Sequence, residues 1–382
     1  MRDTGTTVAI DGEDWMVNGR PTYEGRWFRG WRVEGLLLNS RMANAVFDDA
    51  NPLTRPLWAY PDSGEWEPDR NVAELIEMLP VYRDHGMTGL PINLQGASPV
   101  GYYRDDAASL DALRQRIRER LPNATDSDIW AGLESTASQP WDSGAFEPDG
   151  TLRAAHMERA ARVIEAAGRS GMVVILGLFY FGQDERLRDE HAVKNAVDNA
   201  CAWVLARGYS NVVVEVNNEC DVPKYEHEIL TPPRVHELIE RVRSKGRDGR
   251  RLLAGTSFTR RQLPTAAVIE ASDFILLHGN GMHDPDEVAK RVDDTRSSPA
   301  YRTMPVLFNE DDHYDFDKPW NNFVAALSRR AGWGYFDPGA GAGGSAAYGD
   351  YVNGYQNPPI NWGINTPRKQ SFFNFLREVA GD

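Results

Sequence analysis

Short runs of mostly apolar, often β-branched residues recur along this chain, and segments with helical spacing lie between them. Thr88–Gln95, Met172–Tyr180, Asn211–Asn217, Asp273–His278 and Met304–Phe308 are too short for typical helices. They are also too uniformly apolar for strands with one wet face. Such runs read as strands covered on both faces, which is the condition of a parallel sheet. With Glu34–Asn39, Arg251–Thr256 and Trp333–Asp337 they make eight. Pro91 counts against a central place for the second of them, because it removes a ladder donor.

The intervening segments carry the apolar stripe of amphipathic helices. Val72, Leu75, Ile76 and Leu79 form one such stripe, residues 152–169 another, and Val193, Val197, Ala200 and Val204 a third. Pro232-Pro233 precede Val235, Leu238, Ile239 and Val242, with proline expected in the first turn. Thr366-Pro367 open a last helix as N-cap and first residue. Eight strands alternating with helices predict an α/β protein built as one closed (β/α)₈ barrel, residues 1–382 forming a single domain.

Two additions decorate it. Residues 1–33 contain Asn18-Gly19 between Trp15–Val17 and Arg20–Tyr23, a type I′ hairpin signal, and are expected as a hairpin or flap. Residues 101–150 form a long insertion after the second strand, with a charged helix on Leu110, Leu113, Ile117 and Leu121. Long βα loops lie over the active face of a barrel, so this segment is expected beside the cleft.

A formal charge of −14 argues against nucleic acid or an anionic membrane as partner. The longest apolar stretch, Met172–Phe181, is far below the ~20 residues of a membrane span. The first residues show no apolar export segment, and two cysteines make no disulfide framework, so a reducing, cytoplasmic setting is expected.

Two of the strands end alike, in Asn217-Asn218-Glu219 and Asn309-Glu310. A carboxylate that closes so apolar a strand is costly unless it faces the rim or is paired. The C-terminal rim is where α/β barrels hold their chemistry. Two glutamates on one rim are what glycoside hydrolysis needs, one to protonate the leaving oxygen and one to attack or stabilise the sugar. That chemistry calls for no cofactor and no metal.

Other groups at strand ends are candidates for holding a sugar: Asn39, Arg41, Gln95, Tyr180, Asn218, His278, Asn280 and Trp362. Arg41 is the cation expected beside Glu310. With 11 tryptophans in the chain, many near βα loops, a carbohydrate partner is favoured over a wholly apolar ligand. The run Glu310-Asp-Asp-His313 also admits a metal-dependent hydrolase using His278, Glu310 and His313, although no H-x-H or HExxH pattern accompanies it. A non-catalytic carbohydrate-binding barrel is a third reading.

In the residues Asn217-Asn218-Glu219 and Asn309-Glu310 the chain resembles glycoside hydrolase clan A, the cellulase- and β-galactosidase-like barrels. The resemblance covers roughly residues 33–379. It implies Glu219 at strand four as acid/base, Glu310 at strand seven as nucleophile, and a retaining mechanism. The chain departs at strand six, where the clan has His-x-Tyr and this sequence reads His278-Gly-Asn-Gly281. Asn280, or a tyrosine from another loop, would then stand in for the clan's tyrosine beside the nucleophile.

Overall fold

A computed structural model describes residues 5–52, 54–97, 141–338 and 354–381, with residues 115, 118, 119 and 125 as isolated positions. Leu110, Leu113, Ile117 and Leu121 of the expected charged helix, and most of the 101–150 insertion, lie outside the described residues.

Eight parallel strands close on themselves. They are β1 (Asn39–Ser40), β2 (Gly89–Asn93), β3 (Val173–Phe179), β4 (Val212–Asn217), β5 (Ala254–Gly255 continued by Ser257–Phe258), β6 (Ile275–His278), β7 (Val306–Glu310) and β8 (Ala331–Gly332 continued by Gly334–Tyr335). The first half of β5 pairs with β4 and its second half with β6, so the strand turns a corner at Thr256. In the same way β8 pairs with β7 through Ala331 and with β1 through Gly334, which closes the barrel.

Among the described residues eight helices alternate with the strands: α1 (Pro68–Asp84), α2 (Ala154–Arg169), α3 (Glu190–Arg207), α4 (Val235–Arg243), α5 (Ala266–Ala271), α6 (Pro285–Arg296), α7 (Asn322–Ser328) and α8 (Pro367–Ala380). None among the described residues is long and apolar enough to cross a membrane. Thr366 caps α8 by accepting from the Lys369 amide, with Pro367 in the first turn. Pro232-Pro233, by contrast, stand in a turn just before α4. Cys201 and Cys220 are buried and unpaired.

Pro91 does sit inside β2, and the ladder shows why it is tolerated. Its carbonyl accepts from Met42 N at 3.0 Å on the β1 side, so its missing N–H would face the same side. There β1 is only two residues long, and its one partner position on β2 is Gly89. The fifth strand begins later than expected, because Arg250–Arg251 are drawn into a small antiparallel hairpin with Gly246–Arg247. Asp248 and Gly249, at φ 54° and 78°, make its type I′ turn.

The barrel interior is layered. At the N-terminal end Leu37, Val173, Ile175, Val213, Phe274, Leu276 and Leu307 form an apolar floor. Trp15 of the N-terminal hairpin enters this floor from below, 1% exposed, its ring 5.1 Å from that of Phe274. Asn18 and Gly19 both adopt the positive φ that the hairpin turn requires. Trp15→Ala is expected to cost ~3–5 kcal/mol in urea unfolding, the usual loss for a buried tryptophan. A cost below ~1 kcal/mol would mean the hairpin does not stopper the barrel.

One layer up the interior turns polar. Asn39, Asn93, Glu215 and Asn309 are all buried at this level. Gly177 and Gly334 make room for them, since a Cβ at either would overlap the side chain of Asn93 or Asn39.

Candidate active site

The polar interior leads upward to the C-terminal rim, where β4, β6 and β7 bring Glu219, His278 and Glu310 together. After β4 the chain turns sharply, and Glu219 takes a left-handed conformation at φ 49°, a strained one for a residue with a side chain. Neighbours on both sides hold it there. Asn218 N donates to Phe179 O at 3.1 Å and Cys220 N to Ser257 O at 3.0 Å. Glu219 N itself donates to Ser257 Oγ at 2.8 Å.

Glu310 is the last residue of β7. The ladder between β6 and β7 slips by one position after Leu277, so that His278 lies opposite Glu310 with Asn309 as the extra residue. That irregularity sets the imidazole between the two carboxylates. His278 Nδ1 lies 2.9 Å from Glu219 Oε1 and 3.6 Å from Glu310 Oε2. One oxygen of each glutamate and the His278 nitrogen fall within 4.8 Å of one another.

Each oxygen of Glu310 has a donor of its own. Arg41 Nε lies 2.6 Å from Oε2, and Asn280 Nδ2 donates to Oε1 at 2.6 Å. The same guanidinium reaches two further acceptors, Glu215 Oε2 at 3.3 Å and Asn218 Oδ1 at 2.5 Å. Glu215 accepts from Asn309 Nδ2 as well, at 3.4 Å to each oxygen. Arg41 is 1% exposed and thus bridges two buried carboxylates and the amide beside Glu219.

These contacts set the electrostatics. Burial pushes the Glu219 carboxyl above its ordinary range; His278 works against that shift, and the Glu310 charge adds to it. For His278 burial opposes the charged ring, but Glu310 and Glu219 outweigh it and raise its pKa. Arg41 is raised too, because Glu215 and Glu310 overcome its desolvation.

Glu219, His278 and Glu310 are also a set of donors a divalent ion accepts. The guanidinium on Glu310 Oε2 already supplies a fixed positive charge at that oxygen and works against a second cation. His313 does not complete such a site. Its ring faces Asp311 and Asp312 at 2.9 and 3.2 Å, and its far nitrogen faces His283.

Of the residues the sequence singled out, Glu219, Glu310, Arg41, Asn218, His278 and Asn280 thus come together. Tyr180 lies close enough to act electrostatically on Arg41. Gln95 does not join them: its amide clamps the loop after β3, accepting from Tyr180 N at 3.0 Å and donating to Gln183 O at 3.1 Å. Asn39 sits below the rim, its side chain donating to Phe308 O at 3.4 Å inside the barrel.

Trp362 is in the wall and not in the cleft. It is 1% exposed, stacks on Tyr355 at 5.8 Å, and donates its indole N–H to Asn71 Oδ1 at 3.2 Å. No face of the ring is left for a sugar.

Three participants carry no motif. Glu215 is the clearest, and its signal is a glutamate set between Val214 and Val216, in phase with the inward-facing Val213. Ser257 supports the Glu219 turn. Tyr225 donates its hydroxyl to the Asn218 carbonyl.

Compared with known proteins, the chain matches no sequence-family profile and no curated protein. Its fold is that of solved glycoside hydrolase barrels. It is similar to a GH5-4 broad-specificity endoglucanase from Bacteroides salanitronis, with 12% identity, TM-score 0.52, and 90% of this chain and 93% of that one covered. A β-mannanase from Streptomyces thermolilacinus, solved with mannohexaose, has 11% identity, TM-score 0.50, and coverage of 97% and 94%. The exo-β-1,4-mannosidase Op5Man5 from an Opitutaceae bacterium is longer. The chain covers 54% of it, against 86% of this chain, at 14% identity and TM-score 0.47.

Proposed function

We propose that this barrel is a retaining glycoside hydrolase acting on a β-linked carbohydrate, with Glu310 as nucleophile and Glu219 as acid/base. One observation carries the reading: two buried glutamates approach within 4.8 Å, one paired with a fixed cation and the other with an imidazole. Retaining enzymes hold their carboxyl groups ~5–5.5 Å apart, and inverting ones leave room for a water between them. The short approach favours retention.

The division of labour follows from the surroundings. Glu310, with Arg41 on one oxygen and Asn280 on the other, is aimed and stabilised as an anion able to attack the anomeric carbon. Glu219 is the group that burial favours in its protonated form, so it gives its proton to the departing oxygen and later takes one from water. Asn218, oriented by Arg41, is placed for a hydroxyl next to the reacting carbon. Asn280 stands beside the nucleophile, where the clan has its tyrosine.

A panel of aryl β-glycosides tests the proposal, with the anomer of the first-formed product read by NMR. Retention is expected, and an inverted product would overturn the mechanism. Activity should survive EDTA; its loss would favour metal-dependent hydrolysis. No turnover of any glycoside, with sugars still bound, would favour a binding barrel.

The pH profile has a predictable sign. Glu219 acts as an acid only while protonated, so kcat/KM should fall as pH rises through its elevated pKa. His278 loses its proton in the same direction, and the two titrate as a pair. The limb at high pH should disappear for Glu219→Ala on an activated substrate. A limb that persists in that variant belongs to another group.

Asn280→Ala removes one charge-assisted hydrogen bond from Glu310. It should lower kcat/KM by roughly ten- to a hundredfold while leaving the fold intact. Unchanged kinetics would show that Asn280 does not position the nucleophile.

A further inference from the structure

Beyond the carboxylate pair, a second group of side chains converges at the rim, on the loops that follow β6 and β7. His313 is held there in a fixed orientation. Its Nδ1 lies 2.9 Å from Asp311 Oδ1 and 3.2 Å from Asp312 Oδ1. Asp311 is fully buried and is itself fastened by Asn322 Nδ2 and Trp333 Nε1, each at 2.9 Å. Two carboxylates on Nδ1 fix the ring and raise its pKa to about 10, so Nε2 carries a proton that faces His283 and that a bound ion would displace. Nε2 faces His283 Nδ1 at 3.1 Å, with the two rings at 73°.

That arrangement has the design of a metal ligand. Histidines that bind metals almost always give their other N–H to a carboxylate, which fixes the tautomer and strengthens the donor. Two imidazole nitrogens on one tetrahedral zinc, each ~2.0–2.1 Å from it, stand ~3.3 Å apart. The spacing seen differs from this by a few tenths of an ångström. Asp315 lines the same cleft as His283 and His313, with its carboxylate paired to Lys318 Nζ at 2.7 Å. His283 is exposed, so an ion has access from solvent.

We infer that His283 Nδ1 and His313 Nε2 form a binding site for a borderline divalent ion, zinc foremost, with water completing the shell. Imidazole donors suit zinc and select against magnesium and calcium. The site is separate from the carboxylate pair, and the inference does not rest on the glycosidase reading. An ion bound there clips the loop carrying Asn280 to the loop that follows Glu310. Each ligand lies three residues beyond one of these groups.

The test uses the full chain, stripped with a chelator and titrated calorimetrically with zinc chloride, with magnesium as control. One zinc per chain is expected at micromolar dissociation constant or tighter, no magnesium binding, and a melting midpoint that rises with zinc. His283→Ala is the decisive variant, because this residue is exposed, and it should weaken zinc at least tenfold. Asp311→Asn should weaken it ~10–100-fold, the usual effect of losing a ligand's supporting carboxylate. Glu310→Gln should leave zinc binding unchanged. The inference is overturned if the native chain takes up no stoichiometric zinc. It is equally overturned if His283→Ala binds zinc as well as the native chain, or if Glu310→Gln abolishes binding and so moves the ion to the carboxylate pair.

Discussion

Glu310→Ala is expected to reduce turnover of every glycoside by at least ~10⁴-fold, the order of loss when a nucleophile is removed. Arg41 and Asn280 each aim a donor at one of its oxygens and so orient this carboxylate for attack. Glu219→Ala should behave differently. For a sugar leaving group, which must be protonated, the loss should be ~10²–10⁴-fold, the usual contribution of a general acid.

For a dinitrophenyl glycoside, which leaves without help, the first step of Glu219→Ala should be nearly spared, and hydrolysis of the glycosyl-enzyme should become limiting. Azide, which needs no general base, should then speed turnover and give a glycosyl azide of retained configuration. The geometry explains the asymmetry: His278 sits 2.9 Å from Glu219 but 3.6 Å from Glu310, and only Glu310 has a guanidinium on it. If the azide rescue instead belongs to Glu310→Ala, the two roles are exchanged. If neither variant loses activity, the pair is not the catalytic centre.

Much of this was legible because barrel strands declare themselves. A run such as Val212–Val216 has to be covered on both faces, and only a few chain paths offer that. Its Asn-Glu ending, repeated at β7, marked the rim. Side-chain direction inside the barrel is harder to see in the residues. Glu215 lies in the middle of the run, and the two-residue alternation from Val213 points it inward. The polar layer it joins is assembled from four strands, β1, β2, β4 and β7, that only the closed barrel brings together.

Only its aromatic character beside a polar loop points Trp362 to the cleft. Its real partners, Asn71 and Tyr82 of α1, are nearly 300 residues away in sequence, and no local pattern encodes that contact. At Asp248-Gly249 the signal was present and strong. That turn draws the two arginines that follow it, Arg250 and Arg251, into an antiparallel hairpin and away from the barrel strand. At Pro91 the composition rule was sound but incomplete, because what counts is which side of the strand lacks the donor.

Arg41 should be the most sensitive position after the glutamates, for both folding and activity. One buried guanidinium serves Glu310, Glu215 and Asn218 at once, from Nε, Nη1 and Nη2. Arg41→Met removes the only fixed cation beside Glu215 and Glu310 among the described residues. Breaking a buried ion pair by deleting one partner costs ~3–5 kcal/mol, because the remaining charge is left without compensation. A chain of ordinary stability, ~5–15 kcal/mol, would be left marginal.

Arg41→Lys keeps the charge, but a single ammonium cannot span three acceptors set around a planar fork. It should fold, bind substrate, and lose kcat by roughly tenfold or more, as a displaced positioning group does. The double variant Arg41→Met with Glu215→Gln separates the two effects. It deletes one of the stranded carboxylates, and Glu310 still has Asn280 and the His278 ring nearby. Stability in urea should therefore recover in part while turnover stays low. If turnover recovers together with stability, Arg41 is only a structural tie. If neither single variant loses stability, the guanidinium does not hold this interior together.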